Sequence, residues 1–358
     1  MLFVILGAAT SGNMIIKLRC ARYVFVVLLV GFIIFPLSAQ DLQYSQFFAN
    51  QLDLNPAFAG SQYYHRIIVN YRNQWPELGQ PYVTYSVSYD RHLGKTGSGI
   101  GFQVEQDRQG RGALKTTTVT GVYSYLVRIR RDAGIRLALG ASMIQNYVDL
   151  SELNFPDMID PIYGSVYPHD ASEDPAVRRK FAADFSFGTM AFFDKYHFGV
   201  SLQHLAQPSL AFSDDARLPM KYTAHFGAEF PVTHYGLRPV YYTVNPLFMF
   251  QKQDKHVQMN YGVFFNRNDL VAGAWFRQNF DRPLNAMIFM IGYDTKIFRI
   301  AYSFDWTLSK LSNAGNGSHE VSLIFLMGER EHRGERRRMK PIPCPKFFRK
   351  NDGQVNGF

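Results

Sequence analysis

The residues whose types and spacing come closest to a chemical site form an acidic group in the long segment before residue 180. They are Asp157, Asp160, His169, Asp170, Glu173 and Asp174. Clustered carboxylates can ligate Ca²⁺ through their oxygens, but this group has neither an EF-hand nor a nonapeptide pattern. We therefore interpret it as a solvated acidic loop, and the sequence predicts no metal site and no cofactor.

Catalytic motifs are missing from the sequence. The ten His residues show no H-x-x-x-H spacing, and there is no G-x-S-x-G motif and no P-loop. The glycine-rich run from Gly97 to Gly101 opens an alternating segment rather than a helix, which is typical of a turn. The sequence therefore indicates a protein that is not an enzyme.

The elements that must position the polar residues are β-strands, because apolar and polar residues alternate along most of the chain. In one segment, Tyr302 and Phe304 alternate with Ala301, Ser303 and Asp305. A period of two describes a strand with two different faces. An aromatic content of 15% with a mean hydropathy of only −0.16 suits lipid-facing strands around a polar lumen rather than membrane helices.

Turn residues divide the chain into fourteen strand candidates. They cover residues 66–72, 82–90, 99–107, 115–127, 135–149, 181–193, 197–205, 222–230, 240–250, 257–265, 270–278, 285–293, 297–306 and 319–325. The predicted fold class is all-β, a transmembrane antiparallel β-barrel of about 14 strands after a cleaved signal peptide. A soluble β-sandwich is the rival architecture, but it would not need aromatic side chains facing outward from so many strands.

The connections between these candidates differ in length in a regular way. Bacterial barrels alternate long outer loops with short periplasmic turns. The long connections are 73–81, 150–180, 206–221 and 307–318, and the tight ones are 194–196, 266–269 and 294–296, with 232–239 as a long exception. We therefore predict an integral outer-membrane protein whose N- and C-termini are both periplasmic.

The chain ends differ in composition from the middle. Residues 1–39 predict a signal peptide, because the basic residues Lys17, Arg19 and Arg22 precede an apolar run; a membrane anchor is the alternative, and Met14 is a possible true start. Residues 40–61 form an N-terminal periplasmic or plug segment, 62–327 the barrel, and 328–358 a basic periplasmic tail.

Seven residues are candidates for partner binding or for a plug. They are Asn55, Pro56, Phe58, Trp75, Arg336, Arg337 and Arg338. The segment around Asn55 lacks alternation, so it either plugs the lumen, binds a partner or caps the first strand. Trp75 suits an interfacial aromatic belt, with a grip on a secreted client as the alternative. The arginine run suits a solvated tail or an acidic partner, and not nucleic acid, since the chain is secreted.

Six charged residues should face the lumen by alternation. They are Asp90, Glu105, Arg136, Arg299, Asp305 and Glu320. Charge on the lipid face costs a few kcal/mol near the bilayer midplane, which favours the inner face. We expect these side chains to pair across the lumen and to stiffen it.

Several motifs in order resemble a known family. They are the segments 40–48, 54–61, 71–76, 84–90, 309–313 and 317–323. This combination is similar to the PorP/SprF family of the Bacteroidetes type IX secretion system, from about Gln40 to Phe325. The tail after Gly328 is longer and richer in arginine than the family leads us to expect.

The resemblance implies an outer-membrane barrel without catalysis that is needed for type IX export, including gliding motility or virulence-type cargo. It implies two sets of partners: the PorK/PorN ring, the PorL/PorM motor and a PorE-like periplasmic protein, or a secreted adhesin with a type B C-terminal domain. It does not separate a PorP-like core role from an SprF-like dedicated one. An outer-membrane transport channel for small or lipidic solutes is the alternative function, and an outer-membrane phospholipase is a third.

Overall fold

The structure is a computed structural model that describes most of the chain between residues 41 and 327. The described residues are 41–62, 65–78, 81–94, 97–130, 132–149, 159–160, 164–165, 177–210, 212, 217–234, 240–267, 269–280, 282–295, 297–308 and 317–327. The acidic group of residues 157–174 falls almost entirely outside these ranges, as do the signal-peptide region and the basic tail.

Fourteen antiparallel strands make up the described part of the chain after residue 64. They are β1 (His65–Gln74), β2 (Tyr82–Leu93), β3 (Ser98–Gln109), β4 (Leu114–Arg128), β5 (Ala133–Asp149), β6 (Val177–Phe193), β7 (Tyr196–Gln203), β8 (Lys221–Ala228 and Phe230–His234), β9 (Val240–Gln253), β10 (His256–Arg267), β11 (Leu270–Asn279), β12 (Arg282–Asp294), β13 (Phe298–Thr307) and β14 (Ser318–Met327). The two parts of β8 are separated by Glu229, and both pair with β9.

The sheet closes on itself. Each strand pairs with the next along the chain, and β14 pairs with β1 in one continuous register from His65 opposite Met327 to Gln74 opposite Ser318. A closed barrel pairs the backbone groups that the edge strands of an open sheet would expose, which is what hydrocarbon requires. The predicted antiparallel barrel of about 14 strands is confirmed.

The two faces of the barrel follow the sequence alternation. On β13, Ala301, Ser303 and Asp305 are buried, whereas Tyr302 and Trp306 are exposed. The other strands repeat this pattern, with exposed aromatic and aliphatic side chains on the outside. In the described ranges no helix is long and apolar enough to span a bilayer.

The barrel has two rims, which we distinguish by the ends of β1. The proximal rim is where β1 begins and β14 ends, and the distal rim is the opposite one. Distal connections span 75–81, 110–113, 150–176, 204–220, 254–255, 280–281 and 308–317, and proximal ones span 94–97, 129–132, 194–195, 235–239, 268–269 and 295–297. The four longest connections are distal, but three distal connections are tight, so the alternation in length is less regular than we expected.

Candidate functional site

Residues 41–61, which we call the N-terminal segment, run lengthwise through the inside of the barrel. At one end the Asp41 amide donates to Gln253 Oε1 at 3.1 Å, near the distal end of β9. At the other end the Gly60 amide donates to Asp90 Oδ2 at 2.9 Å, near the proximal end of β2. Every residue from Tyr44 to Ser61 except Asp53 is buried. The segment therefore occupies the lumen from its distal half to the proximal rim.

Two buried carboxylates on the wall hold the distal part of the segment. Glu320 accepts the backbone N–H groups of Ser45 at 2.7 Å and of Gln46 at 3.1 Å. Asp305 Oδ2 accepts the Ser45 hydroxyl at 2.6 Å. A carboxylate that accepts two successive amides satisfies donors that a non-helical, non-strand segment cannot satisfy by itself.

Two arginines neutralise these carboxylates. Arg72 Nη1 lies 3.1 Å from Glu320 Oε2, and Arg277 Nη1 lies 2.9 Å from Asp305 Oδ2. All four side chains are more than nine-tenths buried. Removing one partner of such a buried pair costs about 3–5 kcal/mol, because the other charge is left without compensation. The distal seat of the segment is therefore a charged network rather than an apolar contact.

The middle of the segment packs through aromatic rings. The Phe48 ring meets Phe264 edge-on with centroids 4.4 Å apart, and meets Trp275 in the same way at 5.2 Å. Phe264 and Trp275 both point inward from β10 and β11 and are almost fully buried. The expectation of a purely polar lumen is thus wrong at this level, because the wall provides apolar surface to bury the phenylalanines of the segment.

Asn55 ties the segment to three strands at once. Its side-chain nitrogen lies 3.0 Å from the Thr189 carbonyl, 3.3 Å from the Val200 carbonyl and 3.1 Å from His225 Nε2. Its Oδ1 accepts the Ala57 amide at 2.9 Å, which caps the short 3₁₀ turn Pro56–Phe58. A side chain at Gly188 would overlap Asn55 Oδ1, so this wall position must stay bare.

Phe58 and the residues after it end the segment at the proximal rim. The Phe58 ring stacks on His225 with centroids 5.3 Å apart. The Ala59 carbonyl accepts bonds from Ser124 Oγ at 2.7 Å and Arg136 Nη1 at 3.1 Å. Gly60 follows with φ +62, a left-handed conformation that favours glycine.

We predict that Gly60→Ala destabilises the folded barrel more than Gly94→Ala. Both glycines have positive φ, so both substitutions carry a backbone strain of about 1–2 kcal/mol. A Cβ at Gly60 would also lie 2.5 Å from Gly99 Cα and 2.8 Å from the Arg91 carbonyl, whereas one at Gly94 meets nothing within 4 Å. The temperature at which the barrel loses its compact electrophoretic mobility measures the difference, and equal shifts for both variants would contradict the prediction.

An ionic cluster holds the first residue of the segment. His204 lies between two carboxylates, with Nε2 2.6 Å from Asp41 Oδ2 and Nδ1 2.7 Å from Asp184 Oδ2. Burial opposes a charge on the imidazole, but Asp41 and Asp184 outweigh it and raise the pKa of His204 to about 9. Burial likewise opposes the charge on Asp41, and His204 with Lys221 nevertheless holds the pKa of Asp41 below its usual range.

We predict that the Asp41 end of the segment loosens at alkaline pH. Because the folded-state pKa of His204 lies above the unfolded value of about 6.5, its stabilisation is complete below pH 6.5 and is lost as pH rises through about 9. A spin label at Gln43→Cys, with Cys344→Ser, should become mobile with a midpoint near that pH. In His204→Gln the label should be mobile already at pH 7, and a label that stays immobile to pH 10 in the parent would refute this.

The six charges predicted for the lumen all lie on the inner face, but their partners are not across it. Arg66 and Asp90 pair between neighbouring strands at 2.6 Å, and Arg299 and Asp294 do so at 3.1 Å. Glu105 accepts the Tyr44 hydroxyl at 2.6 Å. Arg136, Asp305 and Glu320 contact the segment as described above. The expected pairing across the lumen is wrong, because the N-terminal segment fills the space between opposite walls.

The other predicted residues are dispersed. Trp75 lies at the distal end of β1 with φ 57, and its ring meets Tyr82 edge-on at 5.6 Å. Arg336, Arg337 and Arg338 lie outside the described residues. The sequence analysis missed Arg66, Arg72 and Arg277, although their alternation with inward residues on β1 and β11 was available as a signal. It also missed His204, since no local pattern links a loop histidine to Asp41.

A closed barrel with an apolar outer face and a filled lumen defines an integral outer-membrane barrel protein. Residues 37–325 match the family described as Type IX secretion system membrane protein PorP/SprF, and the chain belongs to this family. The resemblance noted in the sequence is thereby confirmed. The protein is a non-enzymatic membrane component of the type IX secretion system.

Solved outer-membrane structures share the general architecture. The Acinetobacter baumannii outer membrane protein Omp33 is 9% identical, with a TM-score of 0.42, 74% of this chain covered and 99% of that chain. The CymD monoaromatic hydrocarbon channel is 11% identical, with a TM-score of 0.44, 79% of this chain covered and 94% of that chain. Comparison with curated proteins finds no match.

Proposed function

We propose that this protein is a closed outer-membrane barrel that serves type IX secretion as a docking platform and not as a solute channel. The observation that carries the proposal is the N-terminal segment in the lumen. Its hydrogen bonds reach β1–β9, β13 and β14, and its rings pack on β10 and β11. A segment held by strands all around the barrel acts as a fixed filling, so clients and machinery must bind at the rims or the tail.

We place the proximal rim in the periplasm. The long distal connections 150–176 and 204–220 support this orientation, since outer loops are the longer ones in bacterial barrels. The basic tail after β14 then leaves the barrel on the periplasmic side. The sequence analysis placed both termini in the periplasm; with this orientation the described chain starts, at Asp41, in the outer half of the lumen.

The partners we propose lie on the periplasmic side or among secreted clients. Family membership implies type IX partners, and the PorK/PorN ring, the PorL/PorM motor, a PorE-like protein or an adhesin with a type B C-terminal domain are the specific candidates. The net charge of +9 is concentrated in the last 30 residues, which suits an acidic periplasmic subunit. Outer-membrane lipid surrounds the barrel, and nucleic acid has no role.

Neutralising the tail should weaken capture of that subunit. We expect that replacing Arg333, Arg336, Arg337 and Arg338 by Gln leaves the barrel folded but reduces co-purification with periplasmic secretion components, and that salt reduces it in the parent. Exposed charges are screened within about 10 Å at 0.1 M salt, which is why salt imitates the substitution. Quantitative pull-down from cross-linked cells measures the effect.

The matched control removes four cations from the barrel exterior, by Gln at Arg91, Lys195, Lys252 and Arg267, all exposed. It should leave co-purification unchanged. An epitope after Gly328 should be labelled only after the outer membrane is permeabilised. If truncation after Gly328 changes neither client export nor co-purification, the tail is a solvated end and the docking surface lies elsewhere.

A further inference from the structure

A row of three cations crosses the outside of the barrel near the distal rim. Arg108 on β3 is directly opposite Lys115 on β4, Lys115 is opposite Tyr147 on β5, and Tyr147 is opposite Arg179 on β6. All four side chains point away from the lumen, on the face that carries the exposed apolar residues. We call Arg108, Lys115, Tyr147 and Arg179 the cationic row.

The cationic row lies where the apolar outer surface ends. On the proximal side the outward residues of β3 and β5 are apolar, for example Phe102, Val104 and Leu139. The next outward positions are polar, with Gln106 opposite Thr117 and Thr117 opposite Gln145. The cationic row follows immediately beyond them. A barrel seated by its apolar band therefore holds these cations at the level of the lipid headgroups.

The charges of the row have no acidic partner that would neutralise them. Arg108 donates from Nε to Gln106 at 2.8 Å and lies over the Tyr85 ring at 5.5 Å. Lys115 and Arg179 lie over the Tyr147 ring, 4.9 and 5.4 Å from its centroid. In the described part of the chain none of the three cations forms an ion pair.

The nearest carboxylate in this patch is occupied by a different contact. Asp149 accepts the Tyr147 hydroxyl at 3.2 Å. Two like charges directly opposite each other, as at Arg108 and Lys115, destabilise an antiparallel pair unless an anion lies between them. The rings hold the cations in place, and the patch keeps a net positive charge that an external anion can neutralise.

We propose that the cationic row binds the headgroup of a membrane lipid that carries two phosphates. Three strand spacings separate β3 from β6, so the row spans about 14 Å, more than one phosphate covers. Arginine binds phosphate in a bidentate way and lysine binds it as a point charge. Arg108 with Lys115 binds one phosphate, and Arg179 beside Tyr147 binds the second. Lipid A, a glucosamine disaccharide with a phosphate at each end, has this chemistry.

The test uses the full-length protein in phosphatidylcholine nanodiscs and fluorescent lipid A as the probe. Gln at Arg108, Lys115 and Arg179 should weaken lipid A binding by about tenfold or more, as loss of several charge-assisted contacts requires. The control variant carries Gln at Arg91, Lys252 and Arg267, three exposed outward cations elsewhere on the barrel. It should bind like the parent, and the electrophoretic mobility of the folded barrel checks that both variants fold.

Two competitor lipids identify the ligand chemistry. Phosphatidylglycerol, with one phosphate, should compete much more weakly than lipid A, and dephosphorylated lipid A should not compete. Equal binding by the triple variant and the parent would overturn the proposal. Equal competition by phosphatidylglycerol would overturn the assignment of a headgroup with two phosphates, and competition by dephosphorylated lipid A would show that acyl chains alone account for binding.

Discussion

Deleting residues 44–58 from the mature protein opens a water-filled pore through the barrel. The parent barrel should be nearly closed in planar bilayers, because these residues fill the lumen with buried side chains. After the deletion, the inner face of fourteen strands encloses only water and wall side chains, and single-channel conductance should rise by about tenfold or more, since water-filled barrels of this size class conduct. Planar-bilayer recordings at fixed salt measure this directly.

The deletion variant needs proof that it folds, because Glu320 and Asp305 lose partners on the segment. Their ion pairs with Arg72 and Arg277 are between wall residues, so they remain, and water can hydrate the exposed groups. Retention of the compact electrophoretic band establishes a folded barrel. Truncation after Gly328 is the control, since it removes residues outside the lumen and should leave the barrel closed. A parent that already conducts like the deletion variant would favour the channel function instead.

Tyr302→Arg should prevent stable insertion of the barrel. Tyr302 lies in the middle of β13, points outward and is 41% exposed, so a guanidinium there would face hydrocarbon. An arginine on the lipid face costs about 2–4 kcal/mol at the bilayer midplane. Refolding into bilayers across a denaturant series, read by the fraction of compact band, measures this cost. An unchanged midpoint would mean that Tyr302 does not face lipid.

The control must place an arginine on the inner face without disturbing the N-terminal segment. The neighbouring Ser303, a natural choice from sequence, is unsuitable because it is fully buried and its Oγ accepts the Gln46 amide nitrogen at 3.1 Å. Thr118 is better, since it is inward, partly exposed and opposite Glu105. Thr118→Arg should insert nearly as well as the parent, because the added charge faces water and an acidic neighbour.

These two experiments separate two properties of the molecule. The first reports what fills the lumen, and the second reports what faces the lipid. The deletion removes segment residues and leaves every outward side chain in place, whereas Tyr302→Arg changes one outward side chain and no contact of the segment. A barrel that inserts and conducts after the deletion would show that membrane seating is independent of the segment.

The strands could be predicted from the sequence by itself. Alternation is a local property, because successive side chains of a strand point to opposite faces whatever the partner strand is. Residues such as Tyr302 and Asp305 therefore revealed their faces from a window of ten residues. The strand number, the antiparallel order and the outer-membrane class followed from counting such windows, and the structure agrees with them.

The contents of the lumen were decided only by the tertiary structure. The N-terminal segment has no period, so nothing local says which wall residues it meets. Its partners are far along the chain: Ser45 binds Glu320, and Asn55 reaches carbonyls on β6 and β7. The same holds for Asp41 and His204, which meet only because closing β1 on β14 encloses the segment inside the barrel. The sequence determined two faces per strand, while closure of the barrel determined which inner charges the segment could satisfy.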